Sequence, residues 1–294
     1  MTVSAVPGER EPSEVGIALR PQSLMLNFLG IHVLGRHTAV YSGSIIDVLG
    51  AVDVSEKAVR STLTRMVDRN LLCKHRMGRK AYYQLTERAT EVLIDGNRRI
   101  WETGAVNRDW DGTWTVVGFS LPDDRRSDRH DLRSRLSWAG FGLLQHAMWI
   151  APGRKDVGTI VDSLGLERNV TVLAASAAGS TSSKDMAERA FDIEAIAGRY
   201  RDFSERWSRE RSTGLELPSP MARQLVLHTD WLETVRQDPH LPAELLPEDW
   251  PAIDAEHLFK KLAGEYENAS IEEASRVIDE VAPATPDPTV TDTR

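Results

Sequence analysis

The chain has 294 residues, of which 41% are hydrophobic and 27% charged, as in a soluble globular protein of two or three domains. No apolar run approaches the ~20 residues of a membrane span, and the acidic N-terminal segment lacks the apolar centre of a signal peptide. The single cysteine, Cys73, excludes an internal disulfide framework and favours a reducing compartment. The composition therefore predicts a cytoplasmic protein that has no membrane partner.

The formal net charge of −8 is unevenly distributed along the sequence. Residues 20–100 contain 13 Lys and Arg but 7 Asp and Glu, which gives this segment a net charge of +6 and leaves −14 for the rest. A basic segment in an acidic protein indicates that this one module meets a polyanion.

The first element follows a polar segment, residues 1–19, which contains two prolines and is predicted to be a disordered arm. Beyond it the pattern predicts three helices, a hairpin and a fourth helix. The first helix begins near Pro21 and places Leu24, Phe28 and Ile31 at the i, i+4, i+7 spacing of a buried side.

The second and third helices begin at serines. The second helix takes Ser42 or Ser44 as its N-cap and ends near Gly50, and the third begins at Ser55. The apolar residues of the third helix form one buried stripe: Val59, Leu63, Met66 and Val67. Its opposite face carries donors able to reach base edges and phosphates: Lys57, Ser61 and Thr64, with Arg60 and Arg65 on the flanks.

The stretch "LLCKHRMGRKAYYQLT" predicts a two-stranded hairpin that turns at Gly78, because glycine permits a turn conformation that a side chain would oppose. At its tip lie Arg76, Arg79 and Lys80, where they can neutralise phosphates.

The flanks of this hairpin carry three further predictions. Tyr82 and Tyr83 point to opposite faces of the return strand, so one packs on the helices and the other can face outwards. Cys73 is expected to be a small core residue. Thr86 is expected to cap the fourth helix.

Three short helices followed by a basic hairpin are typical of a winged helix-turn-helix. In that fold the third helix enters the major groove, and the hairpin lies along the backbone or in the adjacent minor groove. A solvated hairpin without any partner explains the hairpin alone equally well. The polar-faced helix and the net positive charge of the segment favour binding to double-stranded DNA.

From Trp110 onwards, predicted strands and helices alternate. A strand that ends at Pro122 precedes a helix, a second strand at 145–152, a second helix at 154–166 and a third strand at 169–176. This β-α-β-α-β order predicts a small ferredoxin-like α+β domain. The small polar residues 177–185 are interpreted as a linker.

The remainder is predicted to be helical. One helix carries the stripe Ile196, Tyr200, Phe203 and Trp207, and the next helix stops at Asp238–Pro239. The following segment "DPHLPAELLPEDWP" is expected to be an ordered connector, because its leucines and tryptophan need packing partners. The tail 282–294 contains three prolines and is expected to hang free.

The sequence thus predicts an α+β protein with three domains. Between the arm and the tail these are a winged helix-turn-helix (20–104), a ferredoxin-like middle domain (105–180) and a helical C-terminal domain (181–281).

No motif for nucleotide-phosphate binding, zinc proteolysis or nucleophilic hydrolysis is present, so no catalytic residue, metal or cofactor is predicted. Asp123 and Asp124 follow a strand end, where two carboxylates can hold a metal. A metal-dependent nuclease is therefore kept as an alternative, although a charge role at a helix N-terminus is favoured.

Several segments together resemble the PaaX family, which are repressors of phenylacetic acid catabolism. The resemblance runs from about Pro21 to Leu262. It rests on "PQSLMLNFLGIHVL", "VSEKAVRSTLTRMVDRNLL", "GRKAYYQLTERA", "WDGTWTVVGFSLPDDRR", "LRSRLSWAGFGLLQHAMWIAP" and the unusual block "DPHLPAELLPEDWP".

The resemblance implies a dimeric repressor that binds inverted repeats overlapping promoters. It implies that the middle domain is similar to that of CRISPR adaptation nucleases and serves structure and dimerisation. It also implies release from DNA by an aryl thioester such as phenylacetyl-CoA, although family members control other pathways as well. An activator or architectural DNA-binding protein without a small ligand stays open.

The resemblance places no effector residues, so these are chosen by chemistry. An acyl-CoA needs cations for its phosphates and an apolar slot for its acyl group. The candidates are Arg154, Arg199, Tyr200, Arg223, His228 and Trp231. The alternative for each is a core aromatic residue or a surface arginine.

Overall fold

The computed structural model describes residues 19–101, 106–213, 217–236 and 238–282. All but the last residue of the predicted arm and all but the first residue of the predicted tail lie outside these ranges.

The elements follow one another in three groups. The N-terminal group is α1 (Pro21–His32), β1 (Ala39–Tyr41), α2 (Ser42–Gly50), α3 (Glu56–Asp68), β2 (Leu72–Met77), β3 (Lys80–Leu85) and α4 (Glu87–Trp101). The middle group is β4 (Trp114–Phe119), α5 (Arg126–Trp138), β5 (Gly142–Gln145), β6 (Met148–Pro152), α6 (Gly158–Asp162) and β7 (Val170–Ala175). The C-terminal group is α7 (Ser183–Ala190), α8 (Ile193–Thr213), α9 (Pro220–Arg236), a 3-10 turn (Ala243–Leu245), α10 (Ala252–Val277) and β8 (Glu280–Val281).

Packing divides the chain into two compact units. The first unit takes its residues from 1–97, 212–230 and 262–294, and the second unit from 98–211 and 231–261. The three domain ranges drawn from the sequence stay a prediction.

The core of the first unit forms beneath α1, α2 and α3. Leu24, Phe28 and Leu29 of α1 meet Val59 and the rest of the predicted α3 stripe in one buried apolar cluster. The apolar spacing therefore predicted the buried side of α3 correctly, although Val67 is only half-buried. On α1 it predicted Leu24 and Phe28 correctly, whereas Ile31 is half-buried.

Two of the predicted helix caps are confirmed, and one is wrong. The Ser55 hydroxyl accepts the Ala58 N–H at 3.3 Å and begins α3, and the Thr86 hydroxyl accepts the Ala89 N–H at 3.1 Å and begins α4. For α2 the N-cap is Tyr41, with no side-chain hydrogen bond. The Ser44 hydroxyl is unavailable for capping, because it bonds to the backbone near the C-terminal end of α10.

The hairpin forms where it was predicted. β2 and β3 pair from Leu72↔Leu85 to Met77↔Lys80, which leaves Gly78 and Arg79 as the two-residue turn. Gly78 has φ +61°, a conformation that favours glycine. β1 pairs with β3 and β8 pairs with β1, so the antiparallel sheet has the order β2-β3-β1-β8.

The second unit contains an antiparallel sheet of order β5-β6-β4-β7. The single strand expected at 145–152 is wrong: a turn at His146, with φ +43°, divides the region into β5 and β6. Residues 142–144, which form most of β5, lay between the predicted helix and the predicted strand and were assigned to neither. α5 and α6 cover one face of this sheet through a cluster that includes Leu132 and Leu136.

The other face of this sheet carries Trp114 and Ile150 and packs on α7. The predicted linker 177–185 is therefore shorter than expected, because Ser182 caps α7 and the helix begins at Ser183. α7 passes so close to β5 that a Cβ at Gly142 would overlap the backbone oxygen of Ala190.

The C-terminal helices place their aromatic residues as predicted. Ile196, Tyr200, Phe203 and Trp207 of α8 are all buried. In the second unit Trp231 stacks on Phe259, with ring centroids 4.9 Å apart. The connector is ordered, as expected, and buries its apolar side chains: Leu241, Leu245, Leu246 and Trp250. Across the described ranges, no helix is both long and apolar enough to cross a membrane.

Candidate nucleic-acid interface

The outer face of α3 is polar and open. The five side chains predicted to contact DNA are all exposed: Lys57, Arg60, Ser61, Thr64 and Arg65. The opposite stripe is buried, with Val59 at 0% and Leu63 at 1% exposure. Packing therefore fixes which face α3 presents to solvent, and this face carries three cations.

Local hydrogen bonds order part of this face. The Arg60 guanidinium donates to a Glu56 carboxylate oxygen, with Nε 2.8 Å away, and the Arg65 guanidinium donates to the Thr62 hydroxyl at 3.0 Å. The Thr64 hydroxyl donates to the Arg60 carbonyl oxygen at 3.0 Å, and the residue stays exposed. Arg60 is thus aligned by its own helix while its side chain stays 61% exposed.

The hairpin supplies the second cationic surface. Arg76 and Arg79 are exposed, and neither forms an ion pair within the part of the chain that the structure describes. Lys80 differs from them, because its Nζ lies 2.7 Å from Asp279 Oδ2 and 4.7 Å from the centroid of the Tyr41 ring. The hydrogen bond to Asp279 and the charge of that carboxylate raise the pKa of Lys80.

The two tyrosines of the return strand do not divide as expected, because both are buried. Tyr83 joins the helical core, where burial raises its pKa and the nearby Arg60 guanidinium opposes the rise. Tyr82 lies on the other face of the strand, which Tyr41 covers with a ring centroid 5.6 Å away. Its hydroxyl lies 3.4 Å from the Asp279 carboxylate.

Cys73 was expected in the core and is exposed instead. Alternation along β2 directs its neighbour Leu72 inwards, at 2% exposure, and therefore directs Cys73 outwards. An apolar run at the start of a strand does not by itself indicate which residues face the core.

The six effector candidates lie on both units. Arg223 and His228 belong to the first unit, and Arg154, Arg199, Tyr200 and Trp231 belong to the second. Tyr200 and Trp231 are buried with ring centroids 6.0 Å apart, whereas Arg154 is exposed after β6.

Buried polar groups surround several of these candidates. The Tyr200 hydroxyl donates to Asp238 Oδ2 at 2.6 Å, and burial raises the pKa of both groups. Burial and the charge of the neighbouring His32 lower the pKa of His228 to about 4. Burial and the Arg36 charge lower the pKa of His32 to about 4 as well.

Sequence reasoning missed Asp279 as a neighbour of the hairpin. It lies 199 positions after Lys80, so no local spacing relates the two residues. The only signal was an acidic pair, Asp279–Glu280, near the end of the predicted helical C-terminal domain.

Asp123 of the Asp123–Asp124 pair lies beside a cation. Asp123 is 96% exposed, and its carboxylate lies 3.9 Å from the Arg129 guanidinium. Within the described ranges no group of three or more metal-ligating side chains is found. A cationic helix face beside a basic hairpin is the kind of surface that binds a polyanion.

Comparison with known proteins identifies the family. Three family models match consecutive parts of the chain: PaaX-like protein (20–89), PaaX protein central Cas2-like domain (107–187) and PaaX-like protein C-terminal domain (191–276). The chain therefore belongs to the PaaX family.

A curated relative supports this assignment. The transcriptional repressor PaaX of Escherichia coli (strain K12) is 26% identical over 247 residues, which are 80% of this chain and 77% of the relative. This relationship confirms the expectation of a regulator that is not an enzyme. A solved structure, the uncharacterized protein Rv0674 from Mycobacterium tuberculosis, matches 86% of this chain and 98% of its own, with a TM-score of 0.57 and 20% identity. That likeness concerns the fold alone.

Proposed function

We propose that the protein is a DNA-binding transcriptional repressor whose N-terminal module is a winged helix-turn-helix. The observation that carries the proposal is the exposed polar face of α3, opposite a largely buried apolar stripe and beside a basic hairpin. The order α1-β1-α2-α3-β2-β3, with β1 paired to β3, supports the fold assignment. The E. coli relative that carries the name of a repressor supports the direction of regulation.

In this proposal α3 enters the major groove and the hairpin lies along the phosphate backbone. Arg60, Ser61 and Thr64 contact base edges, because their side chains are exposed and carry hydrogen-bond donors. Lys57 lies beside Ser61 and Thr64 on the same face and Arg65 lies on its flank, and Arg76 and Arg79 neutralise phosphates near the hairpin turn.

Retardation of a duplex from the gene's own promoter region tests this function directly. The wild-type chain should shift the promoter duplex at concentrations that leave a scrambled duplex of equal length free. Failure to retard either duplex at low salt would refute DNA binding.

We further propose that two copies bind an inverted repeat as a homodimer, joined through a ferredoxin-like middle domain. The sheet order β5-β6-β4-β7 and the match to a Cas2-like domain support this domain assignment. β7 is an edge strand of that sheet with the sequence "VTVLAA", and it carries no charge, while Val172 and Leu173 are 45% and 56% exposed. Uncharged apolar edges favour pairing, and a second copy of β7 offers the same edge in antiparallel register.

The proposed signal for release is a small effector of the aryl- or acyl-CoA thioester class, acting in the cytoplasm. Guanidinium groups suit its phosphates, and aromatic side chains suit its acyl group. The residues proposed to contact it are Arg154, Arg199, Tyr200, Arg223, His228 and Trp231. An activator without a ligand would show no thermal shift with any thioester, whereas a ligand at 100 times its Kd should add about 2.7 kcal/mol of stability.

A further inference from the structure

The last described segment of the chain, residues 277–282, lies against the sheet that contains the basic hairpin. β8 pairs antiparallel with β1, through Ala39↔Val281 and Val40↔Glu280, and completes the sheet as its outer strand. The matched C-terminal family model ends at residue 276. The segment therefore lies after the part of the chain that the family models match.

Backbone hydrogen bonds fix this segment at Asp279. The Ser44 hydroxyl donates to the Val277 carbonyl oxygen at 3.0 Å and accepts the Asp279 N–H at 2.9 Å. The Tyr41 N–H donates to the Asp279 carbonyl oxygen at 2.8 Å. Residue 279 is held on both sides by bonds that do not involve its carboxylate.

The Asp279 carboxylate points at the base of the hairpin turn. It accepts a hydrogen bond from Lys80 Nζ at 2.7 Å, and the Tyr82 hydroxyl lies 3.4 Å from it. A second ion pair, Arg36 with Glu280, holds the following residue of the segment. The Lys80 and Asp279 side chains are 51% and 39% exposed, so both face the solvent that a DNA backbone would displace.

A carboxylate oxygen 2.7 Å from a lysine ammonium occupies the position that a phosphate oxygen takes in a charge-assisted hydrogen bond. Lys80 therefore has an internal anion as its partner. Arg76 and Arg79 lie beside it on the same hairpin and have no ion pair in the described ranges.

We infer that Asp279 is an internal competitor of DNA: the C-terminal strand holds its carboxylate against Lys80 and keeps that cation from a backbone phosphate. The inference rests on the proposed DNA-binding function. In it Arg76 and Arg79 contribute in every complex, whereas Lys80 contributes only when residues 277–282 detach or Asp279 loses its charge. The C-terminal segment thereby sets the affinity of the hairpin for any duplex, independently of sequence.

Asp279→Asn tests the inference, because it removes the charge and retains the backbone bonds to Ser44 and Tyr41. Glu272→Gln is the matched control, since it removes one negative charge from α10, where Glu272 pairs with Arg276 at 3.6 Å. Binding to a random-sequence duplex is measured by fluorescence anisotropy across a salt series. Thermal unfolding confirms that both variants fold.

The expected result is a steeper salt dependence for Asp279→Asn alone. One additional phosphate contact changes the slope of log K against log salt by about −0.9, which is about eightfold in affinity at 0.1 M salt for variants that bind alike at 1 M. Lys80→Gln should leave the wild-type slope unchanged and should abolish the gain in the Asp279→Asn background. That dependence on background assigns the gain to Lys80, because a general charge effect would survive the loss of the lysine.

Failure of the inference is distinguishable from failure of the proposed function. If wild type binds the duplex and Asp279→Asn keeps the wild-type slope, the competition is refuted while DNA binding stands. A Lys80→Gln loss of about 0.9 in the wild-type slope also refutes it, since Lys80 would then already contact DNA. If wild type binds no duplex, the proposed function and the inference fail together.

Discussion

Arg60 provides the most informative single substitution, because the structure gives its present partner and the exposure of that ion pair. Its guanidinium NH2 lies 2.7 Å from a Glu56 oxygen, and the two side chains are 61% and 60% exposed. An exposed i, i+4 ion pair on a helix contributes about 0.3–0.5 kcal/mol. A bidentate contact with a guanine contributes about 1–3 kcal/mol of discrimination, so Arg60 should leave Glu56 when it meets the correct base.

Arg60→Ala is therefore expected to cost about 1–2.5 kcal/mol on the operator, which is roughly a 5- to 70-fold loss of affinity. On a scrambled duplex of equal length the loss should be smaller, because no base contact is made there. Glu56→Gln is the complementary control: it releases Arg60 without removing it and should strengthen binding by about twofold.

Arg79→Ala should behave differently from Arg60→Ala. It removes a cation at the hairpin turn, so affinity should fall alike on both duplexes and the salt slope should fall by about 0.9 in magnitude. Anisotropy titrations of both duplexes over a salt series measure all three variants. Equal losses on operator and scrambled DNA for Arg60→Ala and Arg79→Ala would contradict this division between base and phosphate contacts.

Three further outcomes are expected. Gly142→Ala should lower the free energy of unfolding of the second unit by about 1–3 kcal/mol in urea, because the added methyl group overlaps α7. Gly118→Ala, which has open space around the added methyl group, should leave this free energy unchanged. Equal urea midpoints for the two variants would contradict the close approach of α7 to β5. Leu173→Lys should shift sedimentation from dimer to monomer, because it places a charge on the β7 edge. Ile271→Lys is the control, since Ile271 and Leu173 are both 56% exposed in wild type, and it should leave the dimer intact. A dimer in both variants would exclude the β7 edge as the dimer interface. His228 has a folded pKa of about 4 against 6.5, so its contribution of up to about 3 kcal/mol is present above pH 6.5 and is lost as pH falls towards 4. Because His32 has the same lowered pKa, His228→Gln should make the decline of urea stability over this window shallower without abolishing it, and an unchanged decline would exclude His228 as a cause.

The dimer experiment also bears on specificity. Two recognition helices bound to one inverted repeat must lie about one helical turn of DNA apart, so a monomeric variant should lose operator preference before it loses general DNA affinity. Binding of Leu173→Lys to a half-site and to the full operator separates these two losses.

Local sequence signals predicted much of the candidate interface. The apolar stripe of α3, the cap at Ser55 and the turn at Gly78 are all decided by neighbours within a few positions, so a helical period or a glycine indicates them directly. The same signals were insufficient to decide which of two adjacent residues in a strand faces the core. Cys73 and Leu72 are adjacent and face opposite sides of β2, and composition alone does not distinguish them.

The sequence by itself determined the class of this protein: a basic module of helices and a hairpin in an acidic chain, with the segments that relate it to the PaaX family. These features depend on residue type and short spacing, which can be identified in the sequence without knowledge of any tertiary contact. Only the tertiary structure decided that Tyr82 is buried and that Lys80 pairs with Asp279, 199 positions away. The physical reason is that neighbouring strands pair through backbone hydrogen bonds, which every residue type except proline can form. β8 therefore joins the hairpin's sheet although no side-chain pattern predicts it. The carboxylate of Asp279, directly before β8, becomes the partner of Lys80, whose sequence context predicted a contact with DNA.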